Sequence, residues 1–442
     1  MRVLLFALLG LMPLCSQGQQ LAVTSVNTGN YATGVDTTLR EIRLTFNQDM
    51  VKGFSMVEHS VLPRLTGKPG WVDARTFSLP VRLAPNQLYY FTLNNPYYKR
   101  VRSAAGEVLP HYPIVFETQK PALTPEEQLR NRVLNTASYE LFCQKFLKEY
   151  SHLGKTGINW RQVLADHRTQ LTEAPDASAF LIQLLRVLQP AHDLHLRLRL
   201  NGQGYPTYER LYELNSNDEL RPKLVQNFRQ WSKYVSTGEL GPAGYLAIDS
   251  WDRNHRDEIR KCLDALQTLR EKPYLIIDVR QNGGGDESIA QEMAAQFFRR
   301  KTVYSRIEAL DEKKRTITRV EHNYVQPAGK NPYAGKVFVL TGAGTMSSSE
   351  AFVLMMQQQP NTTLVGAPTC GSSGNPKPVE LPNGVRVLLP SWREMDRWGH
   401  PIEGHGVQPD VHVAAREEEF ASADPVLQRA LELIKEPVAI TR

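Results

Sequence analysis

Two short segments carry residue types able to break a carbonyl bond. In "VLTGAGTMSSSEAF", Val339 to Phe352, an apolar run ends in a glycine-rich bend and three serines open a helix. A serine there lies beside free N–H groups and the positive end of a helix dipole, which stabilise an oxyanion in acyl transfer. The same letters spell a capping box, Ser347 with Glu350, in which the hydroxyl only satisfies a backbone donor. Both readings stay open on this segment alone. The second segment, "YLIIDVRQNGGGDES", puts Gly283, Gly284 and Gly285 just beyond a buried-type strand, where backbone approaches something closely or takes a positive φ. It lacks the Lys-Ser/Thr of a phosphate loop and the spaced glycines of a dinucleotide fingerprint, so phosphate binding is disfavoured. A flexible turn and an oxyanion donor remain.

A hydroxyl nucleophile needs a base. "PAHDLHLRL" offers His192 and His195, and "HPIEGHGVQPD" sets His405 beside Glu403. An imidazole accepts a proton near neutral pH, and a carboxylate fixes its tautomer and stabilises the imidazolium.

The elements that must position these groups fall into three stretches. From 21 to 118 short strands alternate with turns, as in Ile42, Leu44 and Phe46 against Arg43, Thr45 and Asn47. Such spacing predicts a β-sandwich. Helices dominate 124 to about 191, with starts at Thr124-Pro125-Glu127, at Asn159 with Gln162, and at Asp176. After a polar stretch from 201 to 243, apolar runs Tyr245–Ile248, Tyr274–Val279, Val337–Leu340 and Thr363–Val365 alternate with helical segments, which predicts an α/β layer. Asp424 and Pro425 announce a last helix.

Composition narrows the classes. With 41% hydrophobic and 22% charged residues the chain is globular, and 52 basic against 46 acidic residues, interspersed, disfavour a nucleic-acid partner. Residues 1–18 read as a signal peptide: Arg2, an apolar core Val3 to Leu14, then Ser16 and Gly18. A secreted or periplasmic protein without an integral membrane segment after cleavage is expected. Cys143, Cys262 and Cys370 then remain, which allows at most one disulfide and leaves a Cys143–Cys262 pairing open. No two cysteines lie at metal-ligand spacing, and neither metal nor cofactor is expected.

Taken in order, "IIDVRQNGGG", "VLTGAGTMSSSEAF", "LVGAPTCGSSG", "GHGVQPDV" and "DPVLQRAL" resemble the tail-specific or C-terminal-processing serine peptidases, whose core is similar to the ClpP/crotonase α/β fold. "EIRLTFNQDM", "LAPNQLYYFTL" and "FET" resemble bacterial immunoglobulin-like modules. These resemblances imply a multidomain chain: signal peptide 1–18, immunoglobulin-like sandwich 21–118, helical subdomain 122–200 carrying the catalytic histidine, and peptidase core 201–435. They imply Ser347 as nucleophile, with Ser348 and Gly284 or Gly285 supplying oxyanion N–H groups. The lysine that serves one branch as base is replaced by Ser372. The tricorn-like branch implies His195 as base and Glu403 as its acid, with Ser372 as an aid to the histidine or a plain loop serine. Residues 201–243 are too few for the PDZ module that many relatives carry. A serine peptidase acting on peptide or protein through an acyl-enzyme is expected. An ester hydrolase and a catalytically silent binding protein are the competing classes.

Overall fold

The computed structural model describes residues 19–311 and 316–436; the expected signal peptide, 1–18, lies outside the described residues. The first hundred described residues form two sheets over one core. Val23–Val26, Glu41–Phe46 and Thr76–Arg82 lie in one, and Ala32–Val35, Tyr112–Thr118, Leu88–Leu93 and Met56–Val61 form the other. The alternation at 42–46 sends Ile42, Leu44 and Phe46 inward against Phe77, Phe91 and Phe116.

Helix Pro125–Glu149 starts on a closed capping box, with Thr124 Oγ1 accepting the Glu127 N–H and Glu127 accepting the Thr124 N–H. Asn159 and Asp176 cap the next helices as their spacing predicts. These helices do not close a core by themselves. Phe142, Phe146 and Leu181 pack with Tyr90 and Val115 of the β unit and with Leu198, Val387 and Leu389 of a separate four-stranded sheet. That sheet runs Gln203–Pro206, Arg197–Leu200, Arg386–Leu389, Lys377–Glu380, so the boundary expected at 200 cuts through it.

The α/β layer is a seven-stranded sheet in the order Gln226–Ser232, Val235–Leu240, Ala243–Ile248, Tyr274–Asp278, Lys336–Thr341, Thr362–Gly366, Val411–His412. Pairing is antiparallel up to Ala243–Ile248 and parallel beyond it. Its central strands are apolar throughout because both faces are covered. Leu275, Ile277 and Val339 pack under helices Arg256–Thr268, Glu287–Ala294 and Ser348–Met356, while Ile276, Phe338 and Leu340 face helix Pro425–Lys435. The polar stretch 201–243 supplies the two antiparallel edge strands of this sheet. A hairpin, Thr302–Asp311 with Thr316–Val325, and the strand Trp392–Asp396 beside it form a further sheet that the apolar-run reading passed over.

One buried ionic knot fixes the end of the central strand. Arg280 makes paired hydrogen bonds to Asp278 (2.6 and 2.9 Å) and to Asp424 (2.7 and 2.9 Å), and donates to the Asn215 carbonyl at 2.6 Å. Asp424 also caps the last helix through the Leu427 N–H. Burial pushes the Asp278 carboxyl up, but Arg280 outweighs it and holds the group down to about 2. Removing the guanidinium strands two carboxylates away from water. Arg280→Ala is therefore expected to cost about 3–5 kcal/mol, read as a shift in urea unfolding of the mature protein.

Candidate active site

Ser347 stands at the junction of strand Lys336–Thr341 and helix Ser348–Met356, with φ 58° and ψ −124°. A positive φ at a residue with a Cβ is strained and persists only where its surroundings over-determine it. Here the determinant is Glu350, which is fully buried. Its Oε2 accepts the N–H groups of Ser347 (3.0 Å) and Ser372 (2.9 Å), and its Oε1 accepts the Thr369 hydroxyl and the Gly371 N–H, each at 2.6 Å. Burial drives this carboxyl up to about 7 against those four donors. The Ser347 hydroxyl makes no capping hydrogen bond.

That hydroxyl meets His195. Nε2 of His195 lies 3.2 Å from Ser347 Oγ across 152 positions of sequence. The turn that carries the imidazole is held from behind, because Asp193 Oδ1 accepts the His195 backbone N–H at 2.8 Å while Asp193 Oδ2 accepts the Tyr150 hydroxyl at 2.8 Å. Thus Asp193 orients the turn, not the ring. Burial lowers the imidazole pKa below its ordinary value, with Asp193 and Glu403 partly offsetting. His192 turns outward and stacks on Tyr208, ring centroids 4.7 Å apart, and His405 is exposed.

The group on His195 Nδ1 is Ser372, whose hydroxyl lies at 2.7 Å. The expected contact from Glu403 is not made. Glu403 Oε1 pairs with Lys155 Nζ at 2.6 Å and Oε2 accepts the Ser373 N–H at 2.8 Å, so both oxygens are drawn away from the ring. Burial raises this carboxyl, yet His152 and Lys155 outweigh it and keep it below the usual range. Sequence reasoning missed Lys155 and His152, which come from the loop after the first long helix and carry no motif. Ser372 was visible as the position of the absent lysine.

The glycine run interlocks with the serine turn. A Cβ on Gly284 would stand 2.5 Å from the Met346 carbonyl oxygen and 2.8 Å from Ser347 Cβ, and one on Gly285 would stand 2.2 Å from the Trp251 carbonyl. Both have positive φ, 93° and 143°. Of the two expected donors, the Gly284 N–H is spent on Asn282 Oδ1 at 2.9 Å. Gly285 and Gly283 line the cleft beside Ser347 and Ser348. The Ser348 hydroxyl bonds back to the Gly285 carbonyl at 2.7 Å, tying the two donor segments together. The cleft holds about 520 Å³.

Among the described residues no group of three or more His, Cys, Asp or Glu side chains is placed to hold a metal, and no helix is long and apolar enough to cross a membrane. Cys143, Cys262 and Cys370 are all free, and burial pushes the Cys262 and Cys370 thiols up to about 12. The open Cys143–Cys262 pairing is not formed: Cys262 lies in the core under the seven-stranded sheet and Cys143 packs against the helical core.

The sequence profile of Peptidase family S41 matches residues 242–413. The carboxy-terminal processing protease CtpB of Bacillus subtilis (strain 168) is 25% identical over 198 residues, which are 45% of this chain and 38% of CtpB. The carboxyl-terminal-processing protease of Synechocystis sp. (strain ATCC 27184 / PCC 6803 / Kazusa) is 25% identical over 201 residues, 45% of each chain. The chain thus spans under half the length of these relatives. Among solved structures, a candidate peptidase from Parabacteroides merdae ATCC 43184 superposes with a TM-score of 0.58 at 21% identity, covering 69% of this chain and 97% of its own.

The Glu350 contacts generate a direct test. Glu350→Ala leaves four donors unmet in a dry site and is expected to lower unfolding free energy by about 3 kcal/mol or more in urea titration. A change within experimental error would show that those bonds carry no net stability.

Proposed function

We propose that this chain, which carries peptidase family S41 sequence across residues 242–413, is a serine peptidase that cleaves peptide bonds through an acyl-enzyme. The observation that carries the reading is the approach of His195 Nε2 to Ser347 Oγ at 3.2 Å, inside a cleft whose wall includes Ser348 and Gly285. Ser347 Oγ attacks the scissile carbonyl while His195 Nε2 takes its proton. The oxyanion is met by the Ser348 and Gly285 N–H groups. The imidazolium then returns the proton to the leaving amine, and water releases the acyl group by the same route in reverse.

In this reading Ser372 is the positioning residue. Its hydroxyl accepts the Nδ1–H of His195 and so leaves the Nε2 lone pair toward Ser347. Glu403, expected as the acid, acts at a distance: its charge favours the imidazolium, and its bond to the Ser373 N–H steadies the loop next to Ser372. Residues 201–243 supply one strand of the four-stranded sheet and two of the core sheet, so capture of a substrate's C-terminus by a PDZ module forms no part of the proposal. The leader pattern of residues 2–18 supports a secreted or periplasmic setting. The two-sheet N-terminal unit and the covered parallel strands support the immunoglobulin-like and ClpP/crotonase-like readings respectively.

Casein and peptide-library cleavage by the mature protein tests the activity. Ser347→Ala and His195→Ala are each expected to lose about four orders of magnitude or more in kcat, whereas equal turnover in all three proteins removes the enzyme. Ser372→Ala is expected to lower kcat by roughly tenfold to a hundredfold with KM little changed, because it disturbs the base without deleting it.

The base must be neutral to act, and burial holds the His195 pKa below its ordinary value. The rate is therefore flat through neutral pH and falls only as pH drops through that lowered value. The acid limb of kcat/KM should lie below about 6.5. A limb above neutrality would contradict the burial argument.

A further inference from the structure

The cleft that holds Ser347 has a floor of the opposite character to its rim. Arg197 and Arg253 stand at its edge, while Glu287 and Glu394 line its interior. Glu394 lies on strand Trp392–Asp396, opposite Ile307, with 5% of its surface exposed, and its Oε1 accepts no hydrogen bond. Glu287 opens helix Glu287–Ala294 directly after the glycine run, where Tyr304 Oη donates to its Oε1. Gln291 Nε2 in turn donates to Tyr304 Oη at 3.0 Å.

Among the described residues no lysine or arginine pairs with either carboxylate. Burial, then the neighbouring Glu287, pushes the Glu394 carboxyl up to about 8, and burial raises Glu287 as well. Two carboxylates sharing a site oppose each other's ionisation unless a cation joins them. A buried acceptor left without a donor is costly for the same reason. The buried carboxylates of Glu350, and of Asp278 and Asp424 around Arg280, are by contrast met by donors.

Resting on the peptidase reading above, we propose that Glu394 and Glu287 form a specificity subsite that receives the cationic side chain of a lysine or arginine in the peptide substrate. The ammonium or guanidinium supplies the donor that Glu394 Oε1 lacks and joins the two carboxylates. Glu394 is the principal contact because it is the buried member, and Glu287 completes the charge from the end of its helix.

The test separates binding from turnover. In full-length mature protein carrying Ser347→Ala, affinities are measured by titration calorimetry for peptide pairs that differ only by lysine or norleucine at one position, scanned along the peptide. At one position lysine is expected to bind about tenfold tighter or more, the scale of one charge-assisted hydrogen bond. Adding Glu394→Gln should bring the lysine-to-norleucine ratio near one, and adding Glu287→Gln should reduce it. Near-UV circular dichroism and melting temperature establish that each variant is folded. Glu287→Gln, at a helix start on the cleft wall, serves as the independent reading if Glu394→Gln does not fold. A ratio near one at every position, a ratio that survives both carboxamide variants, or failure of both peptides to bind overturns the subsite. A preserved lysine preference without cleavage by the wild type counts against the peptidase reading alone.

Discussion

Glu350 accepts from the Ser347 N–H on one side and from Gly371 and Ser372 on the other, so a single buried carboxylate fixes the serine turn and the loop whose Ser372 meets the His195 ring to the same point. Taking that charge out of water is expensive, and only a full set of donors offsets it. The four donors come from two segments, the serine turn beside Glu350 and the loop at 369–372 about twenty positions on. Any rearrangement of one strands the others. This cooperativity is what keeps Ser347 at its positive φ, a conformation that a lone turn would abandon.

The glycine run acts on the same geometry by exclusion. Since Gly284 admits the Met346 carbonyl and the Ser347 side chain to distances no Cβ allows, the glycine loop and the serine turn are registered by contact, not by a flexible hinge. Gly284 gives its own N–H to Asn282 and thereby stiffens the turn, while Gly285 next to it faces the cleft.

How far these features were legible depends on how local their causes are. The capping box at Thr124 and the Asp424 cap before Pro425 announced helices because the residues that satisfy the first turn lie within it or directly before it. The covered strands were legible as unbroken apolar runs. The hairpin 302–325 was not, because Ile307 and Ala309 alternate with Arg306 and Glu308 and the period is hidden among charges. Ser347 stood out by its glycine bend and helix start, whereas His195 came only from resemblance: nothing in "HDLHL" says which ring turns inward. The destination of Glu403 could not be read at all. It is decided by Lys155 and the Ser373 N–H, which folding delivers from 248 and 30 positions away. A serine hydroxyl such as Ser372 carries no sequence signature for the role of ring partner.

The Arg280 knot orders these events in time. A chain made from its N-terminus carries the guanidinium with only the Asp278 half of its countercharge until Asp424, 144 residues later, has emerged. Before that point a half-neutralised cation favours staying hydrated, while the loop that follows it, Gln281 to Gly285, is already tied to earlier residues through Asn282 Nδ2 to the Ile248 carbonyl and the Trp251 N–H to the Gly284 carbonyl. The knot, and with it the seat of the last helix, therefore closes only once residue 424 is available.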